Sequence, residues 1–419
     1  MALRWAMVVL LVGLVAGVSA DCDAKRVEKT ETFLSTGIKI RPGDVNNKFY
    51  DVGSPAGSFA TVDFNAELVY ENGDPVPLTD VYLHHWIMFE FTIPTGGAKL
   101  VGQELQEAMR GSGAHAYHVA GGKPLRVAAG REVRQGWAKG GETRHLNSTI
   151  PAPYGMVSGG EGLRTQWVLN VHGIDTRGAK NRMGCTECRC DLFSGGNRSR
   201  VPDNYPGGLF CCPDESRCAL REDFNADDAS LERTIHLKYT WTYIALDECV
   251  IPVQGMGLDV TAKNGVKGTV EYNVEGHCKA EDFHKPECVD VRETVIESLY
   301  GGDLVYAVAH LHAYALDSTL WGEDGRLICH SPPMYGHGTA AGDEKGYVVG
   351  IRHCNPSLGA NGSVGKIKKG EKLRFQVKYT RVDGPHTGVM GVLFTKIAQE
   401  GGIVQSVPLR GSGNRKILN

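Results

Sequence analysis

The 419-residue chain lacks an excess of basic residues: 45 Lys and Arg stand against 48 Asp and Glu, for a formal net charge of −3. Proteins that bind nucleic acid by neutralising phosphates need a positive balance, so no nucleic-acid partner is expected. The chain has only one long apolar run, residues 7–18, and no other stretch could form a membrane helix of about 20 residues. HExxH, Walker and GxSxG motifs are also absent, so nothing points to a zinc protease, a P-loop NTPase or a serine hydrolase.

The apolar run at the start has the pattern of a secretory signal peptide. Arg4 precedes it, and the small residues Val18, Ser19 and Ala20 follow, which predicts cleavage after Ala20. A membrane anchor is the alternative, but the run is short and no stop-transfer pattern follows it. We therefore expect a secreted, extracellular protein. Three glycosylation sequons agree with a glycoprotein, at Asn147, Asn197 and Asn361.

The pattern of residue types along the chain predicts an all-β fold. Glycine accounts for 54 of the 419 residues, which favours many turns and disfavours long helices. Segments rich in β-branched and aromatic residues alternate with Gly, Pro and Asn/Asp clusters, which is typical of antiparallel sandwiches and jelly rolls. The predicted strands are 59–70, 81–92, 166–172, 234–244, 304–314, 347–351, 373–380 and 390–397.

Other stretches predict the division of the chain. A few helical turns are expected at 103–109, within a Gly-rich stretch, 94–162, that otherwise suggests surface loops. With a length typical of two or three domains, we expect an N-terminal lobe over 21–248 and a C-terminal lobe over 249–400. A tail, 401–419, would follow the second lobe.

Half of the 12 cysteines lie in one short segment, 184–218. Its CxxCxC…CC pattern would suggest a zinc site in a cytosolic protein, but behind a signal peptide disulfides are favoured. Cys22 is a candidate to join this cluster. Seven cysteines lie before Cys249, and Cys249 is the first of the other five. Because each lobe then has an odd number, full pairing requires at least one bridge between the lobes. The connectivity cannot be deduced from spacing.

Four short segments carry candidate metal ligands. Side chains alternate along a strand, so the two histidines of HLH share one face, whereas the adjacent pair in LHHW can share an ion only at a strand end or a bulge. Imidazole together with a thioether favours copper, especially Cu(I). Each residue alone is more commonly a packing residue, so the prediction depends on the whole set. The candidate ligands are His84, His85, His172, His310, His312 and Met390.

The order LHHW, VLNVH, HLH and HTGVMG resembles the copper type II, ascorbate-dependent monooxygenases, which include peptidylglycine hydroxylating monooxygenase and dopamine β-monooxygenase. The resemblance implies two copper ions. His84, His85 and His172 would bind the one that accepts electrons from ascorbate. His310, His312 and Met390 would bind the other, where O2 is activated and a substrate C–H bond is attacked.

A closer resemblance extends over nearly the whole mature chain. The segments TECRCDL, GLFCC, STLWGEDGRLIC and HTGVMG are similar to hallmark segments of the stress up-regulated nodulin family of plant-type secreted proteins. That resemblance implies two tandem jelly-roll lobes and a location in the apoplast or cell wall. It implies a fold relation more than a settled activity.

Two positions depart from the peptide-amidating enzyme. That enzyme has a carboxylate-binding arginine where this chain has Val308, and a substrate-contacting tyrosine where it has Phe394. We therefore do not expect a peptide ending in glycine as the substrate. The expected substrate is an unidentified small molecule or peptide. His386, four residues before Met390, is either a residue that orients a ligand or a surface histidine.

Three hypotheses remain open from the sequence. The first is a copper monooxygenase that uses ascorbate and O2. The second is a non-catalytic copper-binding protein, and the third is a structural or interaction glycoprotein that has lost the metals. The retention of all six ligand types argues against the third.

Overall fold

The computed structural model describes residues 27–111, 126–127, 131–160, 164–199, 201–225, 228–247, 249–263, 268–355 and 365–399. The signal-peptide prediction, Cys22, Asn361 and the C-terminal tail lie outside these residues. The strands are β1 Lys29–Leu34, β2 Ile38–Ile40, β3 Val45–Val52, β4 Phe59–Tyr70, β5 Val81–Thr92, β6 Arg126–Val127, β7 Arg131–Lys139, β8 Tyr154–Ser158, β9 Thr165–Asp175, β10 Phe193–Gly195, β11 Ser216–Cys218, β12 Arg233–Ala245, β13 Ile251–Pro252, β14 Gln254–Asp259, β15 Glu271–Val274, β16 Val289–Glu297, β17 Gly302–Leu311, β18 Ala315–Trp321, β19 Leu327–His330, β20 Pro333–Tyr335, β21 Val348–Ile351, β22 His353–Cys354, β23 Lys366–Ile367, β24 Lys372–Thr380 and β25 His386–Gln399.

Helices are few and short in this described part of the chain. Two are α-helices, α1 Gly102–Gly111 and α2 Arg182–Thr186. Single 3-10 turns occupy Gly141–His145, Cys190–Leu192, Ala229–Leu231, Ala280–Asp282 and Pro286–Cys288. None of the described helices is long and apolar enough to cross a membrane.

The first lobe, built from β1–β9, β12 and β13, contains two facing sheets. One has the order β1-β12-β4-β8-β13 with β2 beside β12, and the other has the order β3-β9-β5-β7-β6. Alternate side chains of β4, β12, β5 and β9 meet in a core in which Trp241 packs edge-on against Phe64 and Trp167. The period-2 alternation of a half-buried strand thus produces the sandwich.

The second sheet of the first lobe is buried on its other face as well. Phe89 and Phe91 of β5 pack there with Leu105 and Met109 of α1. This double burial explains why β5 is a nearly continuous apolar run. Such a strand can hold histidines in a dry environment.

The second lobe, built from β14–β25, repeats the sandwich principle. One sheet has the order β14-β25-β17-β22, with β15 beside β25 and β23 beside β17, and the other has the order β16-β24-β18-β19. Phe375 and Tyr379 of β24 and Leu393 of β25 lie in their shared core. The all-β, sandwich-like fold predicted from the sequence is confirmed; the lobe boundary at residue 248 stays a prediction.

Most predicted strands are present with small changes of length. The strands predicted at 59–70 and 81–92 coincide with β4 and β5, and the helical turns at 103–109 lie within α1. The strand predicted over 304–314 ends at Leu311, because the chain turns and Tyr314 adopts a positive φ of 69°. The prediction of mostly loops over 94–162 was wrong in part, since besides the expected helical turns this stretch contains β7 and β8.

The six cysteines of 184–218 pair with one another, which confirms disulfides over zinc. None of the six is left for Cys22, so the expectation that Cys22 joins this cluster was wrong. The pairs are Cys185–Cys218, Cys188–Cys212 and Cys190–Cys211. In the second lobe Cys278 pairs with Cys288 and Cys329 with Cys354, and Cys249 is also disulfide-bonded. The disulfides of 184–218, the disulfide insert, form a small core with Val45 and Ile174 of the first lobe.

Candidate metal centre

A β-bulge brings together the first three candidate ligands. In the antiparallel pair β5–β9, Leu83 lies opposite Gly173 and His85 opposite His172, so the register shifts at His84. The extra residue lets two adjacent histidines approach one point, as a regular strand would not. Potential ligand atoms of His84, His85 and His172 all lie within 4.8 Å of one another, and all three side chains are buried.

The orientation of His85 is set by a hydrogen-bond chain across the sheet. The amide nitrogen of Asn170 donates to Asn47 Oδ1 at 2.9 Å and to the carbonyl of Lys48 at 3.1 Å. Its oxygen therefore accepts from Nε2 of His85, 2.9 Å away. This contact places the proton of His85 on Nε2 and leaves Nδ1 as the unprotonated nitrogen, which is how outer partners usually orient a ligand.

His84 has the protonation state that a metal ligand requires. Burial, and then the neighbouring His172, hold the pKa of His84 well below its ordinary value of 6.5, so the ring is neutral. Its Nδ1 is buried without a hydrogen-bond partner among the described residues. A buried polar nitrogen of this kind carries a free-energy cost unless something binds it.

The second pair of histidines lies at the end of β17. Nδ1 of His310 donates to Oε1 of Glu142, 2.8 Å away, which directs Nε2 of His310 away from the carboxylate. Burial alone would raise the pKa of Glu142, but His310 and Lys139 beside it keep the pKa below its usual 4.5. Glu142 therefore remains an ionised acceptor.

His312 is also neutral and also has an orphaned nitrogen. Burial, with His310 as the next contribution, lowers its pKa to about 3. Its Nε2 is buried and has no hydrogen-bond partner in the described part of the chain. His312 therefore resembles His84 in environment as well as in residue type.

One hydroxyl connects His312 to Met390. The phenol of Tyr379 accepts from the backbone N–H of His312 at 2.8 Å and donates to the backbone carbonyl of Met390 at 2.7 Å. In the ladder between β17 and β25, His310 lies opposite Val392 and Leu311 opposite Gly391. Continuing this register by one residue places Met390 next to His312. The backbone thus brings the methionine beside the histidine pair, and its side chain is buried.

The two groups of histidines adjoin instead of forming separate clusters. The ring of His84 stacks on His172 with centroids 4.6 Å apart, and the ring of His312 meets His84 edge-on at 5.0 Å. His310 follows at 5.4 Å from His312. The rings of His85 and His172 also meet, at 5.0 Å, so direct packing of the lobes produces a continuous row of five imidazoles.

The segment between β7 and the 3-10 turn at Gly141–His145 fits tightly between the two groups. A Cβ atom on Gly140 would lie 2.5 Å from the carbonyl oxygen of His84 and 3.3 Å from Cε1 of His310. Only glycine allows this close approach. The backbone N–H of Gly140 donates to Glu142 Oε2 at 3.0 Å, which helps to hold the carboxylate toward His310.

The disulfide insert covers the side of the first histidine group. The sulfur atoms of Cys188 and Cys212 lie within 4.8 Å of a nitrogen of His172. Because these sulfurs are bonded to each other, they offer no thiolate to a metal. They act as apolar packing that keeps His172 away from solvent.

His386 holds the insert to the second lobe. Its Nδ1 contacts Oε1 of Glu187 at 2.9 Å, its Nε2 contacts the carbonyl of Val382 at 2.9 Å, and its ring stacks on Tyr314. It is buried, so the surface alternative was wrong. Its ring nitrogens serve the contact between the insert and the second lobe.

Sequence reasoning missed several residues around the histidines. Asn170 lies two positions before His172, on the same face of β9, and the period of the strand could have identified it. Glu142, Lys139 and Tyr379 gave no such signal, because they come from other elements. The ammonium of Lys139 lies 4.9 Å from the ring centroid of Phe394. Phe394 is the residue that the sequence comparison aligned with the substrate-contacting tyrosine of the peptide-amidating enzyme.

Comparison with known proteins identifies one family. The family described as Stress up-regulated Nod 19 matches residues 26–400. No curated protein matches the chain. Similar solved structures include the VP2 subviral particle of infectious bursal disease virus, at 8% identity, TM-score 0.20 and coverage of 89% of this chain and 73% of that one. Tripeptidyl peptidase 2 follows at 9% identity, TM-score 0.16 and coverage of 90% and 24%. At such TM-scores these likenesses carry no functional argument.

Proposed function

The chain belongs to the Stress up-regulated Nod 19 family, and from that premise we propose that it is a secreted, copper-dependent monooxygenase. Ascorbate is the electron donor and an organic molecule the substrate. One atom of O2 enters a C–H bond of the substrate and the other leaves as water, with two electrons from ascorbate, which is oxidised to dehydroascorbate, and two protons from ascorbate and solvent. Secretion is supported by the number of disulfides and by the N-terminal sequence pattern.

The observation that carries this proposal is the bulge at His84. It gathers three buried imidazoles of the first lobe at one point, in the order in which the copper monooxygenases present theirs. A structural role alone gives no reason to bury a polar nitrogen of His84 without a partner. Neutral imidazoles together with a thioether are a donor set that favours copper.

The surrounding residues have specific tasks in this proposal. Copper, when bound, supplies the one-electron chemistry that links ascorbate to O2. Asn170 keeps the proton of His85 on Nε2, and Glu142 keeps that of His310 on Nδ1, so the opposite nitrogens are the unprotonated ones that a metal would bind. The disulfide insert and the packed lobes exclude water from both groups.

A non-catalytic copper-binding protein is the second candidate. It is favoured by the side chains of Val308 and Phe394, which have no group to hydrogen-bond a substrate at the two positions where the amidating enzyme does so. Both proposals require copper, and they differ only in turnover.

The experiment that tests both is copper analysis of the purified mature protein, combined with ascorbate-dependent oxygen consumption. We expect two copper ions in the wild type, a loss of one with His84→Ala or His310→Ala, and full loading of the control His236→Ala, whose ring contacts Ser35 in the first lobe. Wild-type protein that takes up no copper would refute both candidates. Copper uptake without oxygen consumption would leave only the second.

The same preparation tests secretion. Protein recovered from the culture medium of a eukaryotic host should begin at Asp21. An intact N-terminus on protein that stays in the cell would contradict this part of the proposal.

A further inference from the structure

Two lysines are buried at the contact between the lobes. Lys139 ends β7 in the first lobe and is 3% exposed, and Lys396 lies on β25 in the second lobe and is 6% exposed. Lysine is almost never buried to this degree without a partner. The metal centre proposed above uses neither of them.

Each ammonium packs on an aromatic ring of the opposite lobe. Lys139 Nζ lies 4.9 Å from the centroid of Phe394, and Lys396 Nζ lies 4.5 Å from the centroid of Trp137. On both strands the lysine and the ring are two residues apart, so they share a face. The two contacts are therefore reciprocal and hold the positive charges close together across the interface.

Neither lysine forms an ion pair with a carboxylate that the structure describes. Within the described residues no ion pair involves Lys139 or Lys396, and the Nζ atom of Lys139 makes no hydrogen bond. Glu142 is the acidic group that raises the pKa of Lys139. Its two carboxylate oxygens already accept hydrogen bonds from His310 and from the backbone N–H of Gly140. Among the described residues of the interface, two amines thus face one carboxylate, Glu142, whose oxygens already accept hydrogen bonds from other groups.

These charges lie beside the second histidine group. In the ladder between β17 and β25, His310 lies opposite Val392, and Phe394 and Lys396 follow along the same face. The ring centroids of His310 and Phe394 are 6.4 Å apart, and Lys139 lies over the same Phe394 ring. An anion bound to the lysines would therefore lie next to His310.

We propose that Lys139 and Lys396 form a binding site for a small organic anion, which they hold beside His310. The aromatic rings of Phe394 and Trp137 beside the two amines suit a ligand with an apolar body attached to the charged group. Within the proposed function, on which this assignment of ligands rests, the anion is either the carboxylate of the substrate or the monoanion of ascorbate. Both present oxygen acceptors to two ammonium donors.

Electrostatics supports the same site. Burial lowers the pKa of Lys139 and that of Lys396 to about 7, and Lys139 also contributes to lowering the pKa of the nearby His353. Both shifts have the same main cause, the loss of solvation of a positive charge in the interface. A bound anion would supply the missing interaction and favour the protonated amines.

The test is calorimetric titration of the metal-free mature protein at pH 6 with benzoate, ascorbate and the neutral analogue benzamide. The variants are Lys139→Met, Lys396→Met and, as a control on an exposed face of β24, Lys378→Met. We expect wild type and control to bind benzoate or ascorbate at least about tenfold more tightly than benzamide. Each of the two interface variants should lose about tenfold or more in affinity for that anion.

The anion that binds identifies the source: benzoate alone indicates a carboxylate substrate, and ascorbate alone indicates the electron donor. Binding of both indicates a general organic-anion site. Equal binding of benzamide by the wild type, no binding of either anion, or unchanged affinity in both interface variants would overturn the proposal. The comparison of benzoate with benzamide needs no variant to fold. Because the protein is metal-free, failure of copper binding would leave this result intact.

Discussion

The two buried lysines make a quantitative prediction about stability. Burial lowers the pKa of Lys139 from 10.5 to about 7, so the folded protein releases this proton at a lower pH than the unfolded chain. Unfolding therefore takes up a proton between these values, and the stability of the wild type rises as the pH increases from 7 towards 10.5. Below pH 7 the cost of the buried charge is present in full.

The size of this cost follows from the shift. Each pKa unit corresponds to about 1.4 kcal/mol, so a change from 10.5 to about 7 makes the charged amine unfavourable by on the order of 5 kcal/mol. The contact with Phe394 is lost on substitution, and such contacts contribute about 1 kcal/mol. We expect Lys139→Met, which keeps the length and the apolar stem, to raise the free energy of unfolding by about 3–4 kcal/mol at pH 6.

The assay is urea unfolding of wild type and variant with the disulfides intact, at pH 6, 8 and 10. The gain from Lys139→Met should shrink to about 1 kcal/mol or less at pH 10, where the wild-type amine is neutral in the folded state. Lys378→Met, on an exposed strand face, should show no such trend. A difference that is independent of pH, or a loss of stability at pH 6, would refute the reasoning, because Glu142 or water would then be solvating the ammonium.

Two further substitutions examine the support of the histidines. Asn170→Leu keeps every ligand but removes the acceptor of His85 Nε2–H, and it should weaken copper binding by about 10–100-fold in competition with a Cu(I) chelator; unchanged affinity would show that His85 needs no such orientation. Tyr379→Phe removes the hydroxyl shared by His312 and Met390 and leaves two buried backbone groups without this partner. It should lower the free energy of unfolding by about 1–3 kcal/mol, and a loss below about 0.5 kcal/mol would mean that water replaces the hydroxyl.

Local patterns in the sequence were sufficient for much of the fold. Continuous or alternating apolar residues predicted β4 and β5 at their observed ends, because burial on one or both faces leaves a direct trace in the order of residues. The signal-peptide pattern indicated that the clustered cysteines form disulfides and do not bind zinc. The same local logic failed over 94–162, where the glycine-rich sequence gives little sign of β7 and β8.

The candidate site also combines features that the sequence predicts with features that only the tertiary structure reveals. The spacing of His310 and His312, and the condition that His84 and His85 need a bulge, follow from the period of a strand and are visible in the residues alone. Whether a bulge occurs there depends on pairing with β9, more than 80 positions along the chain, which no local pattern encodes. The contact of His312 with His84 and the meeting of Lys139 with Lys396 depend on how two sandwiches pack. The residues determined which side chains are available for chemistry, and tertiary packing alone decided which of them share a point in space, because distances between remote segments arise only when the whole core is assembled.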